Sequence, residues 1–454
     1  MIRGDFHSHT TFSDGTVSPG RRVIQSLNAG NAFQWVTDHD EFEGGRRAQR
    51  FAQNFGLPIS VFPGVEFSTD VGHVIALGMR HNPFAGQRFT RVAELIAAAN
   101  QHGWLLVLAH ATWPSHRKHW LSGRIQTMFH HERVFHALEL VNMYEDYLEL
   151  MDYYDQRGPF AITAGSDSHH EHQATAECWL GAQPDETSVL QAIREARVAV
   201  WAGPELTGRA LPAFGRSRWF GTSDCIAQAQ KAHATQTRAH NPGFTLSVQA
   251  DELLPGERCI LTLSSETELT VRVRAPLFDM DETVVARPGS TVTRRFTMPE
   301  TREGDYVYWL AQADQPQYYA LADCFVKPRV RSWLEVAPGG LCVVRNDGAT
   351  EPLPAALSPV QFRMQRFTGW DALPAAKIAP EQAPSCAGYR GSGRDATARV
   401  RLGWDREQLY VAVDVTDECF CQPFENRGLW EGDCIRMGIA PARIGVAQPR
   451  HQPC

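Results

Sequence analysis

The sequence predicts an α/β fold over residues 1–205 followed by β-rich accessory domains. Apolar strand-like runs alternate with amphipathic helical patterns up to about residue 205, the texture of a parallel sheet, open or closed into a barrel. From residue 244 onward only short strands recur, separated by Gly, Pro, Asp and Glu turns. Histidine is unevenly placed: 15 of 18 fall at or before His172, so the chemistry is expected in the first part. A chain of 454 residues is too long for one core. The expected division is 1–205 as the α/β unit, 206–243 as a bridge, 244–330 as a β-sandwich and 331–454 as a further β-rich domain.

The chain opens on "DFHSHTTFSDG" (5–15). In a strand, residues two apart share a face, so His7 and His9 converge while the SDG turn lifts Asp14 over the strand end. "SPGRRVIQSLNAG" is a helix with Ser18 as N-cap, Pro19 at its first position and Gly30 as its stop. "FQWVTDHD" reads as a buried strand, "GRRAQRFAQNFG" as a helix, and "ISVFPGVEFST" and "GHVIALGM" as strands. "RVAELIAAANQHG" sets Val92, Leu95, Ile96 and Ala99 on one helical face. "WLLVLAHA", "ALELVNMY" and "FAITAGSDSHH" are further strands, with the helix "YLELMDYYDQRG" before the last. "ETSVLQAIREARVAVWAG" closes the unit. "GFTLSVQA", "CILTLSS", "ELTVRVRAP", "STVTRRFTMP" and "DYVYWLAQA" supply the sandwich.

Composition narrows the function classes. A hydrophobic share of 43% with 21% charged residues suits a globular protein. A net charge of −7 and a pI near 6.2 give no electrostatic footprint for nucleic acid or an anionic membrane surface. No apolar run reaches the ~18 residues of a membrane span. The N-terminus lacks a basic-then-apolar secretory pattern, so a cytoplasmic location is expected. The ten cysteines are scattered without a CxxC, which favours reduced, buried thiols over a disulfide framework or structural zinc.

Ligand-type side chains recur where strands of the first segment end. They are His7, His9 and Asp14; Asp38, His39 and Asp40 in "VTDHDE"; Glu66 in "PGVEFS"; His73 in "GHVIALG"; His110 in "LAHATWP"; and Asp167 and His169 in "AGSDSHH". One such histidine is more often a hydrogen-bonded core residue than a ligand. Imidazole or carboxylate after nearly every strand is a different matter, because the C-terminal strand ends of a parallel α/β unit face one cavity. Mixed His and carboxylate donors suit Zn, Mn or Fe.

In this order and spacing the motifs resemble those of the PHP (polymerase and histidinol phosphatase) family, over roughly residues 1–205. The resemblance implies a distorted (β/α)7 barrel, two or three divalent metal ions, and mostly phosphoester hydrolysis. It implies that His7, His9, Glu66 and Asp167 hold one ion, and that Glu66 bridges to a second completed by His73 and His110. Asp14, His39 and His169 would hold a third. Asp38 and Asp40 are expected to orient His39 or cap the next helix. Asp14 stands where many relatives have His, and "HATWP" replaces a usual HP, so the pocket wall there is expected to differ. "PGVEFSTDVGHVIALGM" is closest to the branch that includes carbamate-ester hydrolases.

The expected chemistry is in-line attack on phosphorus by a hydroxide shared between the two ions that share Glu66. His169 or Asp14 is the candidate for protonating the leaving oxygen. Arg117, Lys118 and His119 in "SHRKHW" are candidate substrate contacts, against the competing reading of a solvated basic loop. Asn142 and Tyr144 are expected near the rim, with Glu145 and Asp146 as further contacts, and His170 and His172 beside the ligands. His130, His131 and His136 read as helix-surface residues.

Near the C-terminus, "TGWDALPAA", "ATARVRLGWDREQLYVAVDVTDE" and "LWEGDCIRMGIAP" resemble the front half of a carbohydrate-binding β-sandwich of the family-nine type. Trp404, Tyr410, Asp417, Trp430 and Asp433 carry that likeness, which implies a carbohydrate partner. The tail "ARIGVAQPRHQPC" has no strand pattern, so an incomplete module with an exposed edge strand is expected. The leading function is hydrolysis of a small-molecule, sugar- or nucleotide-derived phosphoester. Hydrolysis of a carboxylic or carbamate ester by the same cluster is the alternative, and a non-catalytic carbohydrate-binding protein with structural metals is the second. Arg or Lys beside the cluster favours the first reading, apolar lining the ester. No basic stripe interleaved with aromatics is present, so a nucleic-acid substrate is not expected.

Overall fold

The computed structural model describes residues 1–326 except 86, 88, 114–115, 143–147, 171–176, 203–217, 237–238, 303 and 315–316, and the backbone of five strands beyond. The chain forms two compact units, Met1–Lys327 and Pro328–Cys454.

The first unit starts with β1 (Ile2–Asp5), α1 (Pro19–Asn28), β2 (Phe33–Val36), α2 (Glu43–Asn54) and β3 (Ser60–Pro63). Then come β4 (Val65–Thr69), β5 (Gly72–Leu77), α3 (Val92–His102), β6 (Leu105–Leu108), α4 (Arg117–Leu121) and α5 (Arg124–His130). β7 (Ala137–Asn142), α6 (Leu148–Arg157), β8 (Ile162–Gly165), β9 (Glu177–Leu180), α7 (Glu186–Arg194) and β10 (Val198–Ala202) complete the expected α/β part. In the stretch expected as a bridge, β11 (Arg218–Gly221) pairs with β10, and α8 (Ser223–His233) packs Ala229 against Trp179 and Ala199. α1 begins as its sequence dictates: Pro19 is the first helical residue and the Ser18 hydroxyl accepts from Arg21 N–H.

The mixed α/β class stands, but the (β/α)7 barrel is corrected. The strands lie in two open sheets, ordered β11-β10-β9-β1-β2-β3 and β4-β5-β6-β7-β8. Single bridges, Ser8–Ser168 and His39–Glu66, join their margins. Among the described residues of these two sheets, the β1-β2, β2-β3, β6-β7 and β7-β8 pairs are parallel and the rest antiparallel. β4 and β5 are antiparallel because only Asp70 and Val71 separate them, far too few residues for a crossover. The expected single strand "ISVFPGVEFST" is broken at Gly64, its halves β3 and β4 lying in different sheets. Pro63 has no N–H to continue the ladder. Gly64 sits so close to the neighbouring strand that a Cβ there would lie 3.0 Å from the Ala76 carbonyl oxygen. This corner delivers Glu66 to the seam between the sheets. Phe6, Phe33, Trp35 and Phe67 fill the core behind it, with Phe6 stacked on Trp35 at 5.2 Å.

β12 (Phe244–Val248), β13 (Glu252–Leu253), β14 (Arg258–Ser265), β15 (Leu269–Ala275), β16 (Met280–Ala286), β17 (Thr291–Thr297), β18 (Asp305–Asp314) and β19 (Gln317–Val326) follow. They form two sheets, β12-β14-β17 and β13-β19-β18-β15-β16, around a core that includes Trp309, Val271 and Cys259. The β18-β19 hairpin also buries Leu310, Tyr319 and Leu321 against Val23 and Ile24 of α1 and Phe51 and Phe55 of the α2 region. Each apolar side chain fully buried this way is worth about 1.5–3 kcal/mol. Polar ties frame the contact: Arg21–Asp323, Arg47–Asp305, and the Tyr306 hydroxyl donating to Thr11 Oγ1 at 2.9 Å. Cys178, Cys225, Cys259 and Cys324 are free thiols. No helix among the described residues is long and apolar enough to cross a membrane.

In the second unit, β20 (Ser332–Ala337) and β21 (Leu341–Asn346) form a hairpin. β22 (Ala376–Ile378), β23 (Ala396–Trp404) and β24 (Leu409–Asp417) form an antiparallel sheet. Trp404, Tyr410 and Asp417 fall on these strands, while Trp430 and Asp433 lie outside the described residues.

Candidate metal centre

Six short stretches of chain bring the candidate ligands to the seam: 7–14, 39, 66, 73, 110 and 167–169. The chain leaves β1 with Ser8 turned back onto the Trp35 carbonyl (2.9 Å), so His7 and His9 share the opposite side. Asp5 ties this segment to the end of β8 by accepting from Ser166 N–H (2.9 Å) and the Ser166 hydroxyl (2.5 Å). Past β8, Asp167 N–H donates to the His7 carbonyl at 2.9 Å. The buried Arg22 guanidinium holds both segments, donating to the His9 and Ser168 carbonyls at 2.9 and 3.0 Å. Gly165 permits the closeness: a Cβ there would fall 2.3 Å from His7 Cβ and 2.1 Å from Glu139 Oε1.

The first group is His7, His9, Glu66 and Asp167, all buried. His7 Nε2 lies 3.0 Å from His9 Nε2 and 3.0 Å from Glu66 Oε2; Asp167 Oδ1 is 3.3 Å from His7 Nε2. His9 Nε2 lies 3.1 Å from Glu66 Oε2 and 3.0 Å from Asp167 Oδ1. A tetrahedral shell of donors ~2.0 Å from a first-row ion has edges of ~3.3 Å, and these separations fit it. Buried Glu66 Oε2 has no aligned hydrogen-bond donor despite its imidazole neighbours. Two imidazoles and two carboxylates converging at this spacing suit a divalent cation.

The other Glu66 oxygen serves a second group. Oε1 lies 3.0 Å from His73 Nδ1 and 2.8 Å from His110 Nε2. Asp14, His39 and His169, with His9, form a third group, in which Asp14 Oδ1 is 3.1 Å from His169 Nε2 and Asp14 Oδ2 is 3.7 Å from His39 Nε2. His169 Nδ1 lies 2.8 Å from the Asp167 carbonyl and donates to it, which turns Nε2 towards Asp14. His39 also offers Nδ1 to Glu66 Oε2 at 3.2 Å. His7, His9 and Glu66 are 0% exposed, whereas His39, His73, His169 and Asp14 are 17–25% exposed, so the cluster has a closed floor and an accessible rim.

Charge follows the geometry. Burial alone would raise Glu66 and Asp167, but the surrounding imidazoles, His7 foremost, hold both carboxyls well below their usual range. Burial alone would lower His7 and His9, but the carboxylates push both up, His9 to about 10. His110 rises to about 9 against its burial, through Glu66. His39 falls to about 3, driven by burial. With Nε2 atoms 3.0 Å apart, His7 and His9 cannot both point protons at one another; one cation among them and two carboxylates removes the conflict. His110 and Asp167 hold φ of +21° and +49°, a backbone region that costs about 1–3 kcal/mol for side-chain-bearing residues and recurs at functional sites.

Other candidates fall elsewhere. Asp38 braces the turn that carries Asp14, accepting from Thr10 N–H (2.6 Å), the Thr10 hydroxyl (2.8 Å) and the Ser13 hydroxyl (2.8 Å). Asp40 accepts from Ser68 N–H at 3.2 Å. Arg117 pairs with Glu149 of α6, and Lys118 is exposed on α4 beside His119. Asn142 is buried, donating to Glu139 Oε2 (3.0 Å) and Asp167 Oδ2 (3.2 Å) instead of standing at the rim. Tyr144, Glu145, Asp146 and His172 lie outside the described residues.

Sequence reading missed two residues. Glu139 Oε1 lies 3.0 Å from His7 Nδ1 and takes its proton in a hydrogen bond, which leaves Nε2 for the cluster; Oε2 accepts from His110 N–H at 2.9 Å. Its signal was a lone acid in the otherwise apolar strand "ALELV". His116, the N-cap residue of α4, joins His73 and His110 in a further group of candidate ligands.

No family model matches the chain. Over 65 residues, 14% of the chain, it is 37% identical to the 5'-3' exoribonuclease Rnm of Escherichia coli and to that of Salmonella typhimurium. The chain spans 22% of the length of these curated relatives. Among solved structures it is similar to a two-domain protein from Bacteroides vulgatus containing a predicted PHP-like metal-dependent phosphoesterase. That likeness has 15% identity and a TM-score of 0.37, and covers 68% of this chain and 90% of the other. An amidohydrolase from Chromobacterium violaceum, with bound sulfate and no metal, is similar at 17% identity and a TM-score of 0.30, covering 37% of this chain and 87% of that one.

Proposed function

We propose that the chain is a metal-dependent hydrolase of the PHP kind, acting on a small-molecule phosphoester. The observation that carries the reading is Glu66: one buried carboxylate whose two oxygens face two different sets of imidazoles. His7, His9, Glu66 and Asp167 would hold one ion; Glu66, His73 and His110 a second; Asp14, His39 and His169 a third. Divalent ions bound there supply Lewis acidity and acidify water.

The chain's own residues do the rest. Glu139 and the Asp167 carbonyl set the tautomers of His7 and His169, so each presents Nε2 to the cluster. Asp38 fixes the turn bearing Asp14. With no ion in the third group, His169 Nε2 would first take up a proton, shared with Asp14 Oδ1, and could then pass it to a leaving oxygen. The placement of Arg117, paired with Glu149 at the surface, favours a second reading: hydrolysis of a carboxylic or carbamate ester, which needs no phosphate-binding cation. The exoribonuclease among the relatives adds a phosphodiester of RNA to the substrates worth testing.

The test is metal content with turnover. Purified full-length protein is analysed for Zn, Mn and Fe and assayed with a phosphomonoester, a short 5'-phosphorylated RNA and a carboxyl ester. Two or three ions per chain with phosphoester turnover supports the proposal. Ions with carboxyl-ester turnover alone shifts it to the second reading, and no ion retained or taken up ends it.

A further inference from the structure

The second group of ligands differs from the first in one respect: it has a neighbour that the Glu66 reading leaves unused. The His116 ring lies 4.5 Å from the His73 ring, edge to face, and 5.3 Å from the His110 ring, stacked at 18°. Candidate ligand atoms of the three imidazoles all lie within 4.8 Å of one another. They arrive from separate elements: His73 from β5, His110 from the end of β6, and His116 from the turn before α4, held by its N–H to the Trp113 carbonyl at 2.8 Å.

Room for this ring is built into the strand opposite. Gly72 has φ +111°, and a Cβ there would meet His116 Cγ at 3.0 Å and Nδ1 at 3.3 Å. A residue with a side chain at 72 would adopt a strained backbone and make the imidazole give by a few tenths of an ångström. His116 Nδ1 is buried without a hydrogen-bond partner. A ring needed only for packing would be better served by an apolar side chain, since an unpartnered buried nitrogen gains nothing from leaving water.

We propose that His116 is a protein ligand of the second ion, joining His73 and His110 in a three-imidazole set. The inference rests on the metal-binding reading above and adds a residue to it. It makes the two ions chemically unequal. Two imidazoles with two carboxylates, around His7 and Asp167, form the harder site; the three-imidazole set of His73, His110 and His116 forms the softer. The softer set favours Zn or Co over Mn.

The experiment uses the full chain, stripped with chelator and reloaded with Co(II). Wild type, His116→Gln and His116→Phe are compared by metal analysis after desalting, by titration and by the visible absorption of bound Co(II). Phe fills the cradle as an imidazole does but offers no donor atom. The expected result is that both variants keep the ion held by His7, His9, Glu66 and Asp167, lose affinity for the second ion by at least about 10–100-fold, and lose part of the visible absorption. An unchanged metal-free melting curve for His116→Phe shows that packing survives while the ion is lost. Wild-type stoichiometry, affinity and spectrum in His116→Phe overturns the proposal while leaving the Glu66 reading intact. A wild type that takes up no Co(II) overturns both.

Discussion

The α/β part and the sandwich bury their side chains on opposite principles. In the sandwich the core is apolar: Trp309, Val271, Val273, Leu261 and their neighbours carry no charge. In the α/β part Arg3, Asp5, His7, His9, Arg22, Asp38, Glu66, His110, Glu139 and Asp167 are all buried. Burying a charged or polar group costs several kcal/mol unless it is paired, so a concentration of them marks chemistry rather than stability. Among the described residues the sandwich has one buried charge, Asp323, and it faces Arg21 across the contact. The contrast teaches where each half spends its specificity: one on a cluster, the other on holding that cluster's frame.

The sharpest way to break the contrast is Glu66→Gln. Both groups lose their shared donor, so metal content falls and turnover drops by at least about 10^3-fold, read by metal analysis and kinetics. If the variant retains its ions and turnover, the polar core is structural after all. Glu139→Gln comes next. It keeps the shape but weakens the hold on His7, and is expected to cost about 10–100-fold in metal affinity, with secondary structure by circular dichroism unchanged.

Changes on the sandwich side should spare the ions. Asp323→Ala removes the partner of Arg21, itself 30% exposed, and is expected to lower stability by about 1–2 kcal/mol in urea unfolding at unchanged metal content. Tyr306→Phe deletes the bond to Thr11, for about 1 kcal/mol. Burial pushes the Tyr306 phenol up to about 12, above its ordinary value of 10, against the smaller pull of Thr11. Its contribution is therefore intact below pH 10 and lost as pH rises towards 12. Urea midpoints at pH 8 and 11 should converge more in Tyr306→Phe than in wild type; equal pH dependence in the two proteins removes Tyr306 from the alkaline loss.

Many of the candidate ligands could be read from the sequence because His7, His9, His39, His110, Asp167 and His169 follow apolar strands closely, whereas Glu66 and His73 lie near the starts of β4 and β5. Glu139 escaped because a single acid inside a strand looks like an outward-facing residue; only the folded sheet shows β7 buried along its whole length. His116 escaped because the basic run "SHRKHW" drew attention to Arg117, Lys118 and His119, which α4 places at the surface. The closed barrel failed for a topological reason. Short connections such as Asp70-Val71 enforce antiparallel pairing, and the Pro63-Gly64 break sends one apolar run into two sheets. Periodicity reports which face of a strand is buried, not which neighbour it pairs with.

The β18-β19 contact has a consequence for solubility. A chain cut short before the sandwich would leave Val23, Ile24, Phe51 and Phe55 facing water beside one another. A contiguous apolar patch of that kind promotes self-association. The half of this unit that supplies no candidate ligand thereby governs whether the half that does stays dispersed in solution.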